Sequence, residues 1–123
     1  MNYEIVEKSN KQYIDINSQL SSEEDVLDII GICMGNNTYF LMFNNEVLTE
    51  DFFNLKTGLA GMALQKFMNY HIKVAAIIED ENKIQGRFRE LLVEVNRGND
   101  FRVFKNIEDA ETWLVPSWDV KLF

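Results

Sequence analysis

One cysteine, one proline and one histidine in 123 residues remove several function classes at the outset. The lone cysteine, Cys33, cannot close an internal disulfide, and with only His71 beside it in the inventory no Cys/His set of zinc-ligand spacing exists. No glycine-rich phosphate loop follows a strand pattern, and no nucleophile can be matched to a base. The expectation is therefore a chain with no cofactor, no metal and no catalytic residue, with acid/base work by carboxylates the one chemistry that spacing does not reveal. The absence of Ser/Gly/Pro-rich tracts leaves no linker, so residues 1–123 are expected to form a single domain around one core.

Positive charge is also scarce. Twenty acidic residues against twelve basic ones give a net charge of −8, which repels phosphate backbones and anionic membrane surfaces, so neither nucleic acid nor membrane is an expected partner. Long apolar runs are missing too: Val74-Ala75-Ala76-Ile77-Ile78 falls far short of the ~20 residues that span a bilayer. The start, MNYEIVEKSN, lacks the basic and apolar regions of a signal peptide, and the expected compartment is the reducing cytoplasm.

What is present reads as alternating strands and helices. Residues 3–7 and 12–16 alternate apolar and polar positions around Lys8-Ser9-Asn10-Lys11, a hairpin pattern. Ser21 with Glu24 has the spacing of a capping box, opening a helix that carries Val26, Ile29, Ile30 and Cys33 on one face and stops near Gly35-Asn36. Cys33 on that stripe reads as a packed core thiol, because no cation stands nearby to activate it. Residues 38–43 (TYFLMF) and 73–78 (KVAAII) are too continuously apolar for half-exposed strands and are expected at the centre of a sheet.

Between them, Leu55, Leu59 and Met62 and then Ala60, Ala63, Leu64 and Phe67 recur at helical spacing, which predicts one long helix begun at the N-cap Thr49 and buried on two sides. His71 sits just past its end. Ile84, Phe88, Leu91, Leu92 and Val95 predict a further amphipathic helix closed by Gly98. Residues 101–104 form a last strand, and Asn106 caps a final helix that Pro116 ends. The tail SWDVKLF either lies on the surface or adds a pairing segment. The class is α/β: an initial β-hairpin, then alternating helices and strands, giving a mixed, mostly parallel sheet of about five strands with four helices.

Phe101-Arg102-Val103-Phe104 followed by Ala110, Trp113 and Leu114 resembles the ending of the SpoIIAA-like bacterial proteins related to STAS domains. Glu50-Asp51-Phe52-Phe53, Leu55 to Gly61, Leu64 to Phe67, and later Glu94, Asn96, Arg97 and Gly98 resemble a small bacterial family known only as a domain of unknown function. The resemblance implies a STAS-like fold and a non-enzymatic regulatory or protein-interaction role. STAS antagonists are switched by phosphorylation in an Asp-Ser-Ser-Gly-like turn, and Lys56-Thr57-Gly58 is the nearest text here, with Leu55 where the Asp would stand. Gln85 and Gly86 also depart from the resemblance, occupying positions where it implies hydroxyl-bearing residues.

Two places could carry function. If the long helix is continuous, the Thr57 hydroxyl only bonds the preceding turn; if it breaks near Lys56, then Lys56, Thr57 and Gly58 form an anion-binding or phosphorylatable turn. Glu79, Asp80 and Glu81 lie outside the carboxyl end of a strand, where open α/β sheets bind ligands, and they read as a ligand loop or a solvated one. Arg87 and Arg97 are further anion contacts or solvated helix residues. The expected partner is a protein, the alternative a small apolar or anionic ligand between the long helix and the sheet edge, and a homodimer is within range.

Overall fold

The computed structural model describes residues 1–116; the tail from Ser117 onward, and the surface-or-pairing question about it, lie outside the described residues. Five strands form one mixed sheet in the order β1-β2-β3-β4-β5, namely Tyr3–Lys8, Lys11–Ile16, Phe40–Phe43, Lys73–Ile77 and Phe101–Phe104. The first pair is antiparallel and every later pair parallel. Ser9 and Asn10, at φ 52° and 67°, supply the left-handed pair that a two-residue hairpin turn requires.

Because each parallel strand adds next to its predecessor, right-handed crossovers put all three connecting segments on one face. That face holds α1 (Glu23–Gly35), α3 (Leu59–Asn69) and α4 (Gly86–Val95). Their Val26, Ile29, Leu64, Phe67, Phe88 and Leu92 join Ile14, Ile16, Leu41, Phe43, Val74 and Ala76 of the sheet in the larger core. The alternate strand residues Tyr13, Met42, Ala75 and Ile77 face the other way and meet Ala110 and Leu114 of α5 (Ile107–Leu114). Helices on both faces are why the inner strands read as unbroken apolar runs.

The structure corrects the sequence reading in the second crossover. The expected long helix is three pieces: α2 (Glu50–Phe53), a 3₁₀ turn (Leu55–Thr57) and α3, making five α-helices among the described residues where four were expected. The Asn54 side chain accepts a hydrogen bond from the Lys56 N–H at 3.2 Å, and Gly58 turns left-handed at φ 80°, a conformation glycine adopts without the Cβ penalty. Short α2 is pinned by aromatics: Phe52 is fully buried, and the Phe53 and Phe88 rings meet edge-to-face at 4.9 Å.

Two further boundaries shift. The N-cap of α1 is Ser22, not Ser21, and the carboxylate that reaches back belongs to Asp25, accepting from the Ser21 N–H and Oγ at 2.9 and 3.0 Å. α4 begins at Gly86 and is capped by Asn96, with Gly98 donating to the Val95 carbonyl at 3.1 Å. Thr49 does start α2, yet its hydroxyl donates to the Leu20 carbonyl at 2.9 Å and does not cap. Cys33 is fully buried, and burial raises its thiol to about 12, as a packed core residue requires.

Candidate functional site

α3 follows β3 and runs back to the start of β4, so its first turn lies at the carboxyl end of the sheet. The helix break leaves Thr57 and Gly58 exposed there. The Thr57 hydroxyl lies 2.5 Å from the Asp51 carbonyl and 2.9 Å from that of Asn54, donating between them, and it accepts the Leu59 N–H at 3.2 Å. One hydroxyl thus fastens α2, the 3₁₀ turn and α3 together. Gly58, the N-cap of α3, brings no side chain to the remaining amides of that turn.

Thr57, Gly58 and Leu59 share a surface cleft of about 350 Å³ with Ser21, Ser22 and Glu23 at the start of α1, and with Asp51 and Met62. Two helix amino termini and three hydroxyls therefore meet in one depression. At α1 one of the orphan amides is already used, since Ser22 Oγ accepts the Asp25 N–H at 3.2 Å. Hydrogen bonds from the Ser21 backbone, above all, hold the Asp25 carboxyl below the ordinary carboxylate range. Lys56 is exposed on the 3₁₀ turn and does not line the cleft. With Glu23 and Asp51 on its walls, the depression suits hydrogen-bond donors and cations better than a free anion.

The acidic loop is taken apart by local bonds. Glu79 N–H donates to Asn45 Oδ1 at 3.1 Å, Asp80 accepts the Asn82 N–H at 3.0 Å and caps the turn Glu81–Lys83, and Glu81 pairs with Lys105. Only the Asp80 and Glu81 carboxylates take these local bonds, to the Asn82 N–H and to Lys105, while Glu79 is held through its backbone N–H. Among the described residues no three of His, Cys, Asp and Glu gather as a metal site. Arg87 and Arg97 are exposed on and just after α4, and neither lines the cleft. His71, at φ 58°, closes α3 by donating its backbone N–H to the Met68 carbonyl at 3.0 Å.

A separate apolar hollow of about 230 Å³ lies between α3, α4 and the amino ends of β4 and β5. Leu64, Phe67, Ile72, Val74 and Phe101 line it, with the exposed carboxylates of Glu94 and Asp100. That volume is below the ~300 Å³ at which ligand pockets begin, and the carboxylates oppose an anionic occupant.

Sequence reasoning missed two polar groupings on the α5 face. Asp15, half-buried on β2, takes a hydrogen bond from Asn44 Nδ2, which also donates to Asn17 Oδ1 at 2.8 Å. Desolvation, with Glu4 directly across the hairpin, pushes the Asp15 carboxyl up to about 6. At the opposite end, the Trp113 ring has Lys73 Nζ 4.3 Å and the Arg102 guanidinium 5.6 Å from its centroid. The strand alternation that sets Asp15 beside Tyr13 was a usable signal, whereas the Trp113 arrangement depends on where α5 crosses.

Residues 8–114 match a protein family described as a domain of unknown function, DUF4180. The chain belongs to that family. No curated protein and no solved structure matches it. The DUF4180 match spans the hairpin turn, the broken second crossover and α5, so the cleft, the acidic loop and the Trp113 arrangement all lie inside the matched region.

Proposed function

We propose that the chain is a non-enzymatic, STAS-like regulatory module of the cytoplasm that meets a protein partner through the cleft at Thr57. The observation that carries this reading is the helix break, which exposes the Thr57-Gly58 turn beside Ser21 and Ser22. A hydroxyl in that position is reachable, and it is also structural, so changing it changes the shape of the cleft. Phosphorylation would remove the hydrogen bond donated to the Asp51 and Asn54 carbonyls and set a charge of about −1.5 to −2 beside Asp51 and Glu23. Like-charge repulsion would push α2 away from α3 and alter the contact surface. Glu79, Asp80 and Glu81 follow the carboxyl end of β4, the end of the sheet at which α3 begins, and an acidic loop there suits a partner that offers donors or positive charge.

The experiment compares capture of partners by the wild type, Thr57→Glu and Glu90→Ala from cells expressing the protein, with mass spectrometry as readout. The reading expects one discrete partner held by the wild type and by Glu90→Ala, and lost by at least tenfold with Thr57→Glu. Equal recovery by Thr57→Glu would contradict it.

The hollow between α3 and α4 supports a second reading, a binder of a small apolar molecule. At about 230 Å³ it would hold a compound of only a few heavy atoms. Absence of any thermal shift with benzene-sized apolar probes would end that reading.

A further inference from the structure

Among the described residues β1 ends the sheet, and the hairpin register tells which of its backbone groups are already bonded. The two-residue turn closes on the Lys8–Lys11 pair, and at the far end Asn17 N–H donates to the Asn2 carbonyl at 3.0 Å. Bonded pairs alternate along an antiparallel ladder, so Asn2, Glu4, Val6 and Lys8 point their N–H and C=O groups at β2. The N–H and C=O groups of Tyr3, Ile5 and Glu7 therefore point outward along the edge. Natural edge strands block pairing with proline, bulges and charged side chains, lysine above all. β1 has neither proline nor bulge, its one lysine sits at the turn, and its remaining charges are Glu4 and Glu7.

The side chains of the same residues are also unspent. Tyr3 and Ile5 are 40% and 44% exposed, and Leu27 on the neighbouring α1 is 51% exposed. Between strand and helix runs a groove of about 720 Å³ lined by Tyr3, Leu27, Gly31, Ile32 and Gly35. A methyl group at Gly31 or Gly35 would meet nothing within 4 Å, so the helix surface is low where the groove passes.

We propose that this edge is the docking surface for a second copy of the chain, β1 pairing antiparallel with β1 about a two-fold axis at Ile5. The register follows from charge and backbone together. Centred on Ile5, Ile5 meets its own copy, Tyr3 meets Glu7 of the second copy and Glu4 meets Val6, so no carboxylate faces another and every outward backbone group finds a partner. Centring on Glu4 would set Glu4 directly against Glu4, a destabilising like-charge pair. Centring on Val6 would require Tyr3 to pair with Ser9, which the hairpin turn holds at φ 52°, out of strand conformation. In the Ile5 register the two sheets become one, and Leu27 of each copy closes over the other's Tyr3 and Ile5 across the glycine-lowered groove. Two chains of charge −8 repel, so association strengthens as salt screens them.

Cysteine scanning tests this directly. Bonded antiparallel partners lie ~5.5 Å apart at Cα, inside the range a disulfide spans. Ile5→Cys is expected to form a covalent dimer on mild oxidation, while Val6→Cys and the distant Tyr39→Cys stay monomeric; buried Cys33 does not compete. Sedimentation should show a wild-type dimer that tightens with salt, and Leu27→Lys should weaken it at least tenfold with unchanged circular dichroism. A wild type that stays monomeric at every concentration would overturn the proposal. So would a dimer that Leu27→Lys leaves intact and Ile5→Cys fails to trap, or one trapped through Val6→Cys, which would place the axis elsewhere or the partner surface on another element.

Discussion

Asp15 shows how far one residue's environment departs from its type. Its folded value of about 6 stands above the ordinary 3.8, so between those pH values the folded chain binds more protons than the unfolded one. The sign follows: Asp15 lowers stability as pH rises through that window, and the loss is complete above the folded value. Discounted for solvent screening at a half-buried site, the effect is roughly 1–2 kcal/mol. Asp15→Asn keeps an acceptor for Asn44 and is expected to stabilise the protein by about 1 kcal/mol at neutral pH while flattening the pH dependence of urea unfolding. A variant less stable than wild type at pH 7 would contradict this account. The alternation of β2 places Asp15 on the Tyr13 face, but a polar residue in an alternating strand reads as solvated, so the sequence did not show how far it is desolvated. Its hydrogen-bond partner Asn44 stands twenty-nine positions later, just past β3, and is brought alongside by strand pairing. Cys33, by contrast, was legible, since its place on an apolar helical stripe fixed its burial.

At the scale of elements, the strands and most helices could be read from periodicity, and the second crossover could not. The break at residues 54–58 keeps Leu55, Leu59 and Met62 in helical phase, so the apolar pattern runs through it unchanged. The contrary signals, Asn54 and Gly58, are short-range and are outweighed when the period alone is counted. Two glycines now separate the alternatives. Gly58→Ala should cost about 1 kcal/mol because φ is 80° there, although open space surrounds the site. Gly61→Ala, inside α3 and equally uncrowded, should gain about 0.5–1 kcal/mol. A continuous helix would make both changes stabilising, so opposite signs in denaturant titrations are the discriminating result.

α5 carries a second element-scale prediction. Tyr13 OH donates to Glu111 Oε2 at 2.6 Å, and Lys8 Nζ reaches Oε1 of the same carboxylate at 2.6 Å. Burial alone would raise the Glu111 carboxyl, yet the bonds from Lys8 and Tyr13 outweigh it and hold it below its ordinary range. Tyr13→Phe keeps the buried ring and removes one charge-assisted bond, and it should cost about 1.5–3 kcal/mol in chemical denaturation. A loss under 0.5 kcal/mol would mean that α5 is held by its other contacts, the packing of Ala110 and Leu114 and the Lys8–Glu111 pair among them.

For the whole molecule, the sequence order of elements was sufficient to give an α/β class and a five-stranded mixed sheet led by a hairpin, because strand order follows chain order. The two unbroken apolar strands were expected at the centre of the sheet, where β3 and β4 lie. The candidate cleft was legible only as a pair of alternatives, since Ser21 and Ser22 come beside Thr57 through the packing of α1 on α3, which spacing within either helix does not record. No described helix is long and apolar enough to cross a membrane. The charge of −8 gives the cleft and the acidic loop a common sign, and a partner that binds there should dissociate as salt is raised.

The central claim, that the Thr57 cleft is where the protein meets its partner, is tested most directly by a photo-crosslinking amino acid installed at Met62, on the cleft wall, and separately at Glu90, on exposed α4. Irradiation in living cells should give one discrete heavier adduct from position 62 and none from position 90, with Thr57→Glu abolishing the first. Adducts of equal yield at both positions, or an adduct at 62 that Thr57→Glu leaves unchanged, would contradict the account.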